Sequence, residues 1–569
     1  MKKHYALLFP LIWISLFFPV SLTAQQIDLE WMHLIGSSHA EHPGRVVTDG
    51  CGNVYATGWF HDPVDLDPGP GVHMAVSNGD FDVYLIKFNP NGTFEWALTF
   101  GGNGFEDVLG LTVEQGNSES CGAVFLAGSF NQSVDFDPSP STAIKSSNGL
   151  SDAYVLKIDE SGNFDWVQTF GGQYSDFSRY LSMDKFGNLL VAGAFQGTAD
   201  FNPGTGTDWR TSSGNDDGFL VKLQPDGQLD WVNTVGGSEF DRYTASAADP
   251  QGNVYAIGSF QDVVDLDPGN AILSTSSAGQ RDFFLQKFNP AGQLLWAFGI
   301  GGDNGEDAHD LVVDNQGNVT LAGTYGIKVD FDPGPGTEWH SIRGDRNVFV
   351  VQYDPLGNFN WIYIAGDGQY DQARSITQDE HGNFFVTGTF STNVDFDPGP
   401  NVAPMNGIAQ DVFFVCLSPA GKFQWARQIT GPEMQFARSL HYHDGYLYFS
   451  GSTHYAAEAR FDNGWITRNP VGAYDYLVAK IKLTSVVSVQ ESNSITDLDV
   501  FPNPTSGLIQ IDVVPGLFQT VTLFNLQGQA LVPATSLQTQ MDISHLPKGV
   551  YLLRLDGTGD STVKRVVKY

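Results

Sequence analysis

The sequence predicts an all-β protein: a seven-bladed β-propeller of four-stranded blades, followed by a small Ig-like β-sandwich. Three observations lead there. The octapeptide VDFDPGPG at 329–336 returns with variation at 64, 134, 199, 264 and 394, in steps of 65 residues except one of 70, and a degraded copy, ARFDNG, starts at 459. A tryptophan keeps the same step, at Trp31, Trp96, Trp166, Trp231, Trp296, Trp361 and Trp425. The two ends of the array are complementary, since the first run (28–36) is of the type that the last unit lacks. A fixed period of this length is the signature of a repeat architecture, and four short strands per repeat indicate a propeller.

Each unit reads as four strands. The first follows a Gly pair and an acid, as in LGLTV at 109–113; the second is GNVYATGWF (52–60) and its relatives; the third is DVYLIKF (82–88); the fourth is TFEWALTF (93–100). The fourth alternates apolar and polar residues with a period of two, as a half-buried strand does. D-x-x-G-N turns at Asp184, Asp249, Asp314 and Asp379 join first to second, and N-P-x-G turns at Asn89 and Asn289 join third to fourth. A glycine recurs inside the second strand (Gly58, Gly128, Gly193, Gly258, Gly323, Gly388, Gly451), which marks close approach of another backbone. The N-terminal run is expected to pair into the last unit as its fourth strand, removing two sheet edges.

The boundaries are a signal peptide over 1–24, the propeller over 25–483, a polar linker over 484–496 and a C-terminal domain over 497–569. Lys2 and Lys3 precede an apolar stretch from Tyr5 to Leu22, and Leu22-Thr23-Ala24 precedes Gln25, the form of a cleavable export signal. No later segment is apolar for the eighteen or so residues a spanning helix needs, so an integral membrane protein is not expected. The net charge of −35 makes nucleic acid a poor partner, because the long-range field repels it. Almost all of that excess lies in the repeats. With three cysteines a disulfide framework is not expected. Cys51 and Cys121 hold equivalent turn positions in neighbouring units, which are expected to lie too far apart for a bridge, and Cys416 reads as a buried free thiol.

The units, through G-N-V-Y-x-x-G-x-F, V-D-F-D-P-G-P-G and G-x-F-x-W in register, resemble the bacterial propeller repeats called SBBP-type; that resemblance implies a fold and no fixed activity. The last 70 or so residues resemble the type A C-terminal sorting domain of type IX secretion in Bacteroidota. The resemblance rests on Phe501, Pro502, Asn503 and Pro504, the Asn525-Leu526-Gln527-Gly528-Gln529 hairpin, Leu546-Pro547-Lys548-Gly549-Val550-Tyr551, and the basic end from Lys564 to Lys568. It implies the secretion machinery as a partner, and a protein secreted or attached to the outer-membrane surface after export to the periplasm.

Strand order places two acidic sets on one face. One follows the Gly pairs: Glu41, Glu106, Asp176, Asp241, Glu306 and Asp371, with Gln435 in the seventh unit. They read either as caps that accept backbone N–H bonds or as a cation-binding ring. Departures from the repeat, Arg179, Arg374 and Arg438, sit three residues beyond the acid positions and complete the candidate ligand-binding face; His309 holds the equivalent place in another unit. The second set is the D-x-D pairs: Asp65 and Asp67, Asp135 and Asp137, Asp265 and Asp267, Asp330 and Asp332, Asp395 and Asp397. As metal ligands they would take Ca²⁺, the one candidate cofactor, which wants several oxygens. As corners, the second Asp caps a Pro-Gly turn and the first pairs with a recurrent third-strand lysine such as Lys87 or Lys222. His441 and His443 read as exposed strand residues. No catalytic constellation stands out. The function expected is a secreted or cell-surface module that binds an extracellular protein or glycan; the rivals are an extracellular glycan-active hydrolase or lyase, and a structural surface component.

Overall fold

The computed structural model describes residues 25–37, 41–116, 120–342, 345–366, 369–399, 402–454, 457–462, 464–468, 472, 474–485, 498–501, 505–513, 519–524, 530–536, 539–556 and 561–568. The proposed signal peptide, most of the linker, and Pro502, Asn503, Pro504 and Gly528 lie outside them. The described residues form strands and no helix, and no helix long and apolar enough to cross a membrane is present among them. Two compact units result, Ile27–Leu483 and one that includes Thr484–Tyr569.

In the larger unit a four-strand pairing recurs seven times, in chain order in six of them. In the fourth repeat these are Arg242–Ala248, Val254–Phe260, Asp282–Phe288 and Leu294–Ile300. In the seventh the order is Gln435–His443, Tyr446–Thr453, Asp475–Ser485 and then Gln25–Ile35, so the N-terminal strand supplies the fourth position. Turn chemistry fixes the hairpins. Asp249 Oδ1 accepts the amides of Gln251 and Asn253, both at 2.9 Å, and Gly252 takes the left-handed φ of 80–90° that closes the turn.

Glycines mark close approaches, first within a sheet and then between sheets. A Cβ on Gly258 would lie 2.2 Å from the Arg242 carbonyl oxygen and from the Phe284 ring. The first glycine of a Gly pair makes room for the carboxylate that starts the third strand, Gly236 against Asp217 and Gly301 against Asp282, and Gly36, followed by Ser37, does the same for Asp475. The glycine after each N-P-x-G-type turn lies under the tryptophan of the preceding repeat, Gly292 under Trp231 and Gly421 under Trp361. Gly92 lies under Trp31 in the same way, although Trp31 belongs to the N-terminal strand.

The first strands pack on one another in chain order, His42–Thr48 on Gly110–Val113 and so on, and Gln435–His443 packs on His42–Thr48. One backbone bond repeats at each of these joints. The amide of the acid after the Gly pair donates to the residue before the third strand of the preceding sheet: Glu106 to Phe81, Asp176 to Ser151, Asp241 to Asp216, Glu306 to Arg281, Asp371 to Arg346, Gln435 to Gln410, and Glu41 to Tyr474. Apolar layers fill the spaces between successive sheets. One joins Val54, Ala56 and Tyr84 of the first to Tyr448, Tyr476 and Val478 of the seventh.

Three expectations change. The D-x-D segments are more than turns: each opens a small hairpin, as in Val263–Asp265 with Ser274–Ser276. Its leading strand pairs with the Gly pair of the preceding sheet, Val264 opposite Gly237 and Asp265 opposite Gly236. The recurrent lysines do not pair with the first Asp. Lys87 bonds Glu95 at 3.2 Å, Lys222 bonds Asp184 at 3.3 Å, and Lys287 and Lys480 donate to the carbonyls of Pro355 and Pro90. Cys51 and Cys121 form a disulfide, with Cα atoms 5.3 Å apart. The sheets converge where their first strands meet, so the first-to-second turns of neighbours come within bridging distance. Cys121 follows the longer loop of the second repeat, and Glu160 holds it there by accepting its amide at 2.6 Å. Cys416 is buried and free, and burial raises its thiol pKa.

The C-terminal unit has a three-stranded sheet (Leu498–Phe501, Leu508–Val513, Gln540–Asp542) and a four-stranded one (Ala530–Ser536, Thr520–Phe524, Gly549–Asp556, Ser561–Lys568) around one core that includes Ile509, Val521, Leu553 and Val566. Gly549 starts a strand, Tyr551 is buried and donates to the Pro547 carbonyl at 2.5 Å, and Lys564 is half-buried. Lys568 is buried, with its ammonium on the carbonyls of Ser544 and Leu546.

Candidate functional site

The acids after the Gly pairs do not open onto solvent. Glu41, Glu106, Asp176, Asp241, Glu306 and Asp371 are buried. Their carboxylates hold backbone amides on both sides: Asp241 accepts from Gly237 at 2.6 Å and Gln261 at 3.1 Å, and Glu306 from Gly302 at 2.8 Å and Gly326 at 3.1 Å. Burial raises the pKa of Glu41, Glu106, Asp176 and Glu306 to about 7 and of Asp241 to about 6. The carboxylates that start the third strands behave alike: Asp217 rises to about 7, and Asp152 and Asp282 to about 6, by burial. Much of the formal negative charge expected on this face is therefore turned inward and partly protonated near neutral pH.

The D-x-D carboxylates are also engaged by backbone. Oδ1 of the first acid closes the hairpin by accepting amides two and eight residues on: Asp265 takes Asp267 and Leu273, at 3.1 and 2.8 Å. Asp65, Asp135, Asp330 and Asp395 repeat this pattern. Oδ1 of the second acid caps the next turn, Asp67 on Gly69, Asp137 on Ser139, Asp267 on Gly269, Asp332 on Gly334 and Asp397 on Gly399, at 2.7–2.9 Å. Among the described residues, the one group with metal-ligand proximity is Asp49 with Cys51 and Cys121. Its sulfurs are bonded to each other, and Asp49 caps its own turn.

The arginines are placed differently. In five repeats the first strand carries a β-bulge at the residue three beyond the acid position: Arg179, Thr244, His309, Arg374 and Arg438. In the first repeat the shift falls on Gly44 and Arg45. A bulge leaves its residue out of the ladder and re-aims its side chain. The packing order of the first strands brings these side chains together. Burial and the like charges of Arg45, Arg374 and Arg179 bring the pKa of Arg438 down to about 9, with Asp107 opposing. Burial, Arg179 and Arg281 bring Arg242 down to about 10. His309 falls to about 3 through burial and the nearby Arg374, so it is neutral at pH 7.

One carboxylate anchors the edge of the cluster. Asp307 lies 3.1 Å from Arg281, 3.4 Å from Arg346 and 3.8 Å from Arg242. Burial would raise its pKa, but His309 and these arginines hold it below the usual carboxylate range. Among the described residues, the Nε atoms of Arg179 and Arg242 and Nε2 of His309 are buried without a hydrogen-bond partner, whereas Arg281 Nε faces Asp307. Arg281 and Arg346 also line a polar recess of about 660 Å³ with Gln261, Ser277, Gln280 and the acids Glu239 and Asp262. Deeper in, the Arg45 guanidinium stacks 4.1 Å over the Tyr180 ring, and Tyr180 donates to Asp310 at 2.8 Å. This chain links the first, third and fifth repeats. On its other side His441, half-buried rather than exposed, meets Thr48 at 3.0 Å, and burial lowers its pKa to about 4.

The expected residues thus separate. Arg179, Arg374 and Arg438 come together; the acids stay apart, each at its own joint. Sequence reasoning missed Arg45, Arg242, Arg281, Arg346, Asp107, Asp216 and Asp307. The signal was available in the repeat alignment. The residue before the third strand is Phe81, Ser151, Asp216, Arg281, Arg346, Gln410 and Tyr474 in turn, with two adjacent arginines at a position that varies freely.

Residues 499–569 match the family described as secretion system C-terminal sorting domain. The chain therefore carries the tail that directs export by type IX secretion, to the cell surface or the medium. Over 431 residues it is 23% identical to an uncharacterized WD repeat-containing protein, L264, of Acanthamoeba polyphaga mimivirus, covering 63% of this chain and 30% of that one. It is 25% identical over 269 residues to the regulatory protein FlaEY of Caulobacter vibrioides, covering 45% and 27%. The chain thus spans less than a third of the length of these curated relatives. Among solved structures, a protein of unknown function from Dyadobacter fermentans aligns over 80% of this chain and 99% of its own at 9% identity, with a TM-score of 0.34. The extracellular domain of a putative one component system, BT4673, from B. thetaiotaomicron aligns over 96% and 99% at 11% identity, with a TM-score of 0.19. At these scores neither carries an argument.

Proposed function

We propose that Ile27–Leu483 is a closed seven-bladed propeller of the SBBP type, exported under a type A sorting domain, which binds an extracellular partner at the axial face carrying the arginines. Closure is supported by the joint between seventh and first repeats, which has the same amide bond and the same tryptophan-on-glycine contact as the others. Binding is supported by one observation above all: five sheets contribute unlike side chains at the same bulge, and three of them are arginines. A position serving only the scaffold would repeat, as the acids do. In this reading Arg179, Arg374 and Arg438, with Arg242, Arg281 and Arg346, contact the partner. Glu41, Glu106, Asp176, Asp241, Glu306 and Asp371 hold the frame.

The test is a glycan and extracellular-protein binding array with the full chain, run beside an Arg281→Gln/Arg346→Gln variant at the exposed edge of the cluster. The expected result is a hit that the variant loses. A hit that survives in full moves the binding surface elsewhere, and silence across both arrays contradicts a binding role.

A further inference from the structure

The cluster has more positive charge than its own carboxylates answer. Seven arginines (45, 179, 242, 281, 346, 374 and 438) act on one another in this region against Asp107, Asp216 and Asp307, with Glu239 and Asp262 on the wall of the adjoining recess. Asp307 is already shared by three arginines, and Asp107 is bound by the Ser129 amide and hydroxyl at 2.7 and 2.9 Å. Like charges gathered at half-buried positions repel more than they would in open water, and a chain with net charge −35 has no general excess of arginine to place there. Buried guanidinium nitrogens without partners lose hydration for nothing unless something supplies acceptors. A carboxylate, sulfate or phosphate oxyanion supplies them, and the planar arginine fork matches its geometry.

The recess beside the cluster narrows the class. Its volume, about 660 Å³, is far more than one ion fills; Gln261, Ser277 and Gln280 line it with neutral donors and acceptors, and Glu239 and Asp262 add carboxylate acceptors, a wall suited to the hydroxyl groups of a ligand whose anionic group lies on the arginines. Arg281 and Arg346 belong to both recess and cluster, so a ligand there presents its anionic group to the arginines and its hydroxylated part to the recess. We infer that the axial arginine cluster binds the oxyanion of an acidic sugar, a uronate or sulfated residue, in the extracellular space. The inference rests on the reading of this face as the ligand face.

The test is calorimetric titration of the full chain with glucuronate, glucose 6-sulfate, neutral glucose and inorganic sulfate, in chloride buffer of constant ionic strength. Saturable binding of either acidic sugar, at least about tenfold tighter than glucose or inorganic sulfate, is expected, with a loss of about tenfold or more in Arg374→Gln and in Arg438→Gln. Should either variant fail to fold, Arg346→Gln reads the same loss from the half-exposed edge. Equal binding of inorganic sulfate and the acidic sugars overturns the sugar assignment. No saturable binding, or binding unchanged in the variants, overturns the anion site. An array hit that persists when both acidic sugars fail leaves the binding module standing and removes only this inference.

Discussion

The acids at the starts of the first strands and the arginines at their bulges lie three residues apart, yet opposite rules organise them. The acids recur in six of seven repeats, are buried, and hold backbone amides at each joint. The arginines occur in some repeats only, converge from several sheets, and leave donors unpartnered. A group that every repeat needs is a requirement of the repeat. A group that breaks the period is free to serve something the repeat does not provide.

This contrast can be broken from the structural side first. The largest effect is expected at the joint between the first and second repeats. Cys51→Ser/Cys121→Ser opens a loop with a sequence separation of 70 residues, and loop-closure entropy puts its contribution at up to about 4 kcal/mol. Chemical denaturation of the oxidised protein and the double variant measures it; equal midpoints would show that the joint does not depend on the bridge. Next comes Gly258→Ala, whose methyl would collide with the Arg242 carbonyl and the Phe284 ring. A loss of about 2–3 kcal/mol is expected, because the oxygen is backbone and cannot turn aside.

The buried acids make a further prediction about pH. Their folded pKa values, about 6–7, stand above the unfolded values near 4. Between these limits the folded state binds more protons than the unfolded one, so stability falls as pH rises. Their contribution is fully present below about pH 4 and is lost through pH 7. The melting temperature should therefore be higher at pH 5 than at pH 8; the reverse order would mean that the acids are ionised in the fold. The smallest effect concerns calcium. The D-x-D oxygens facing their loops already accept amides, so melting curves in calcium and in chelator should superimpose. A rise with calcium would restore those pairs as metal ligands.

The sequence made the scaffold legible because the scaffold repeats. Four runs per unit, the turn residues and the glycines each occur many times, so a single chain acts as its own alignment. The complementary ends were readable for the same reason, and Gln25–Ile35 pairs with Asp475–Ser485. What stayed hidden was contact between units. The D-x-D hairpin looked like a corner inside one unit, because its pairing partner, the Gly pair, lies in the preceding sheet. The Cys51–Cys121 bridge was misjudged because convergence of the first strands is a property of the packed assembly, not of any repeat. The arginines were partly legible: Arg179, Arg374 and Arg438 stand out as departures. Arg281 and Arg346 needed the bond from Glu306 to Arg281 and from Asp371 to Arg346 to bring the third-strand starts beside the cluster.

The division between frame and ligand groups is tested most directly by melting two variants in one chloride buffer at pH 7, Asp241→Ala and Arg438→Met. Asp241→Ala removes the acceptor for the Gly237 and Gln261 amides and should lower the melting temperature. Arg438→Met removes a half-buried like charge while keeping an apolar stem, and should leave the melting temperature unchanged or raise it. Opposite responses are the result predicted. A fall of similar size in both would contradict the account, because it would make Arg438 part of the frame.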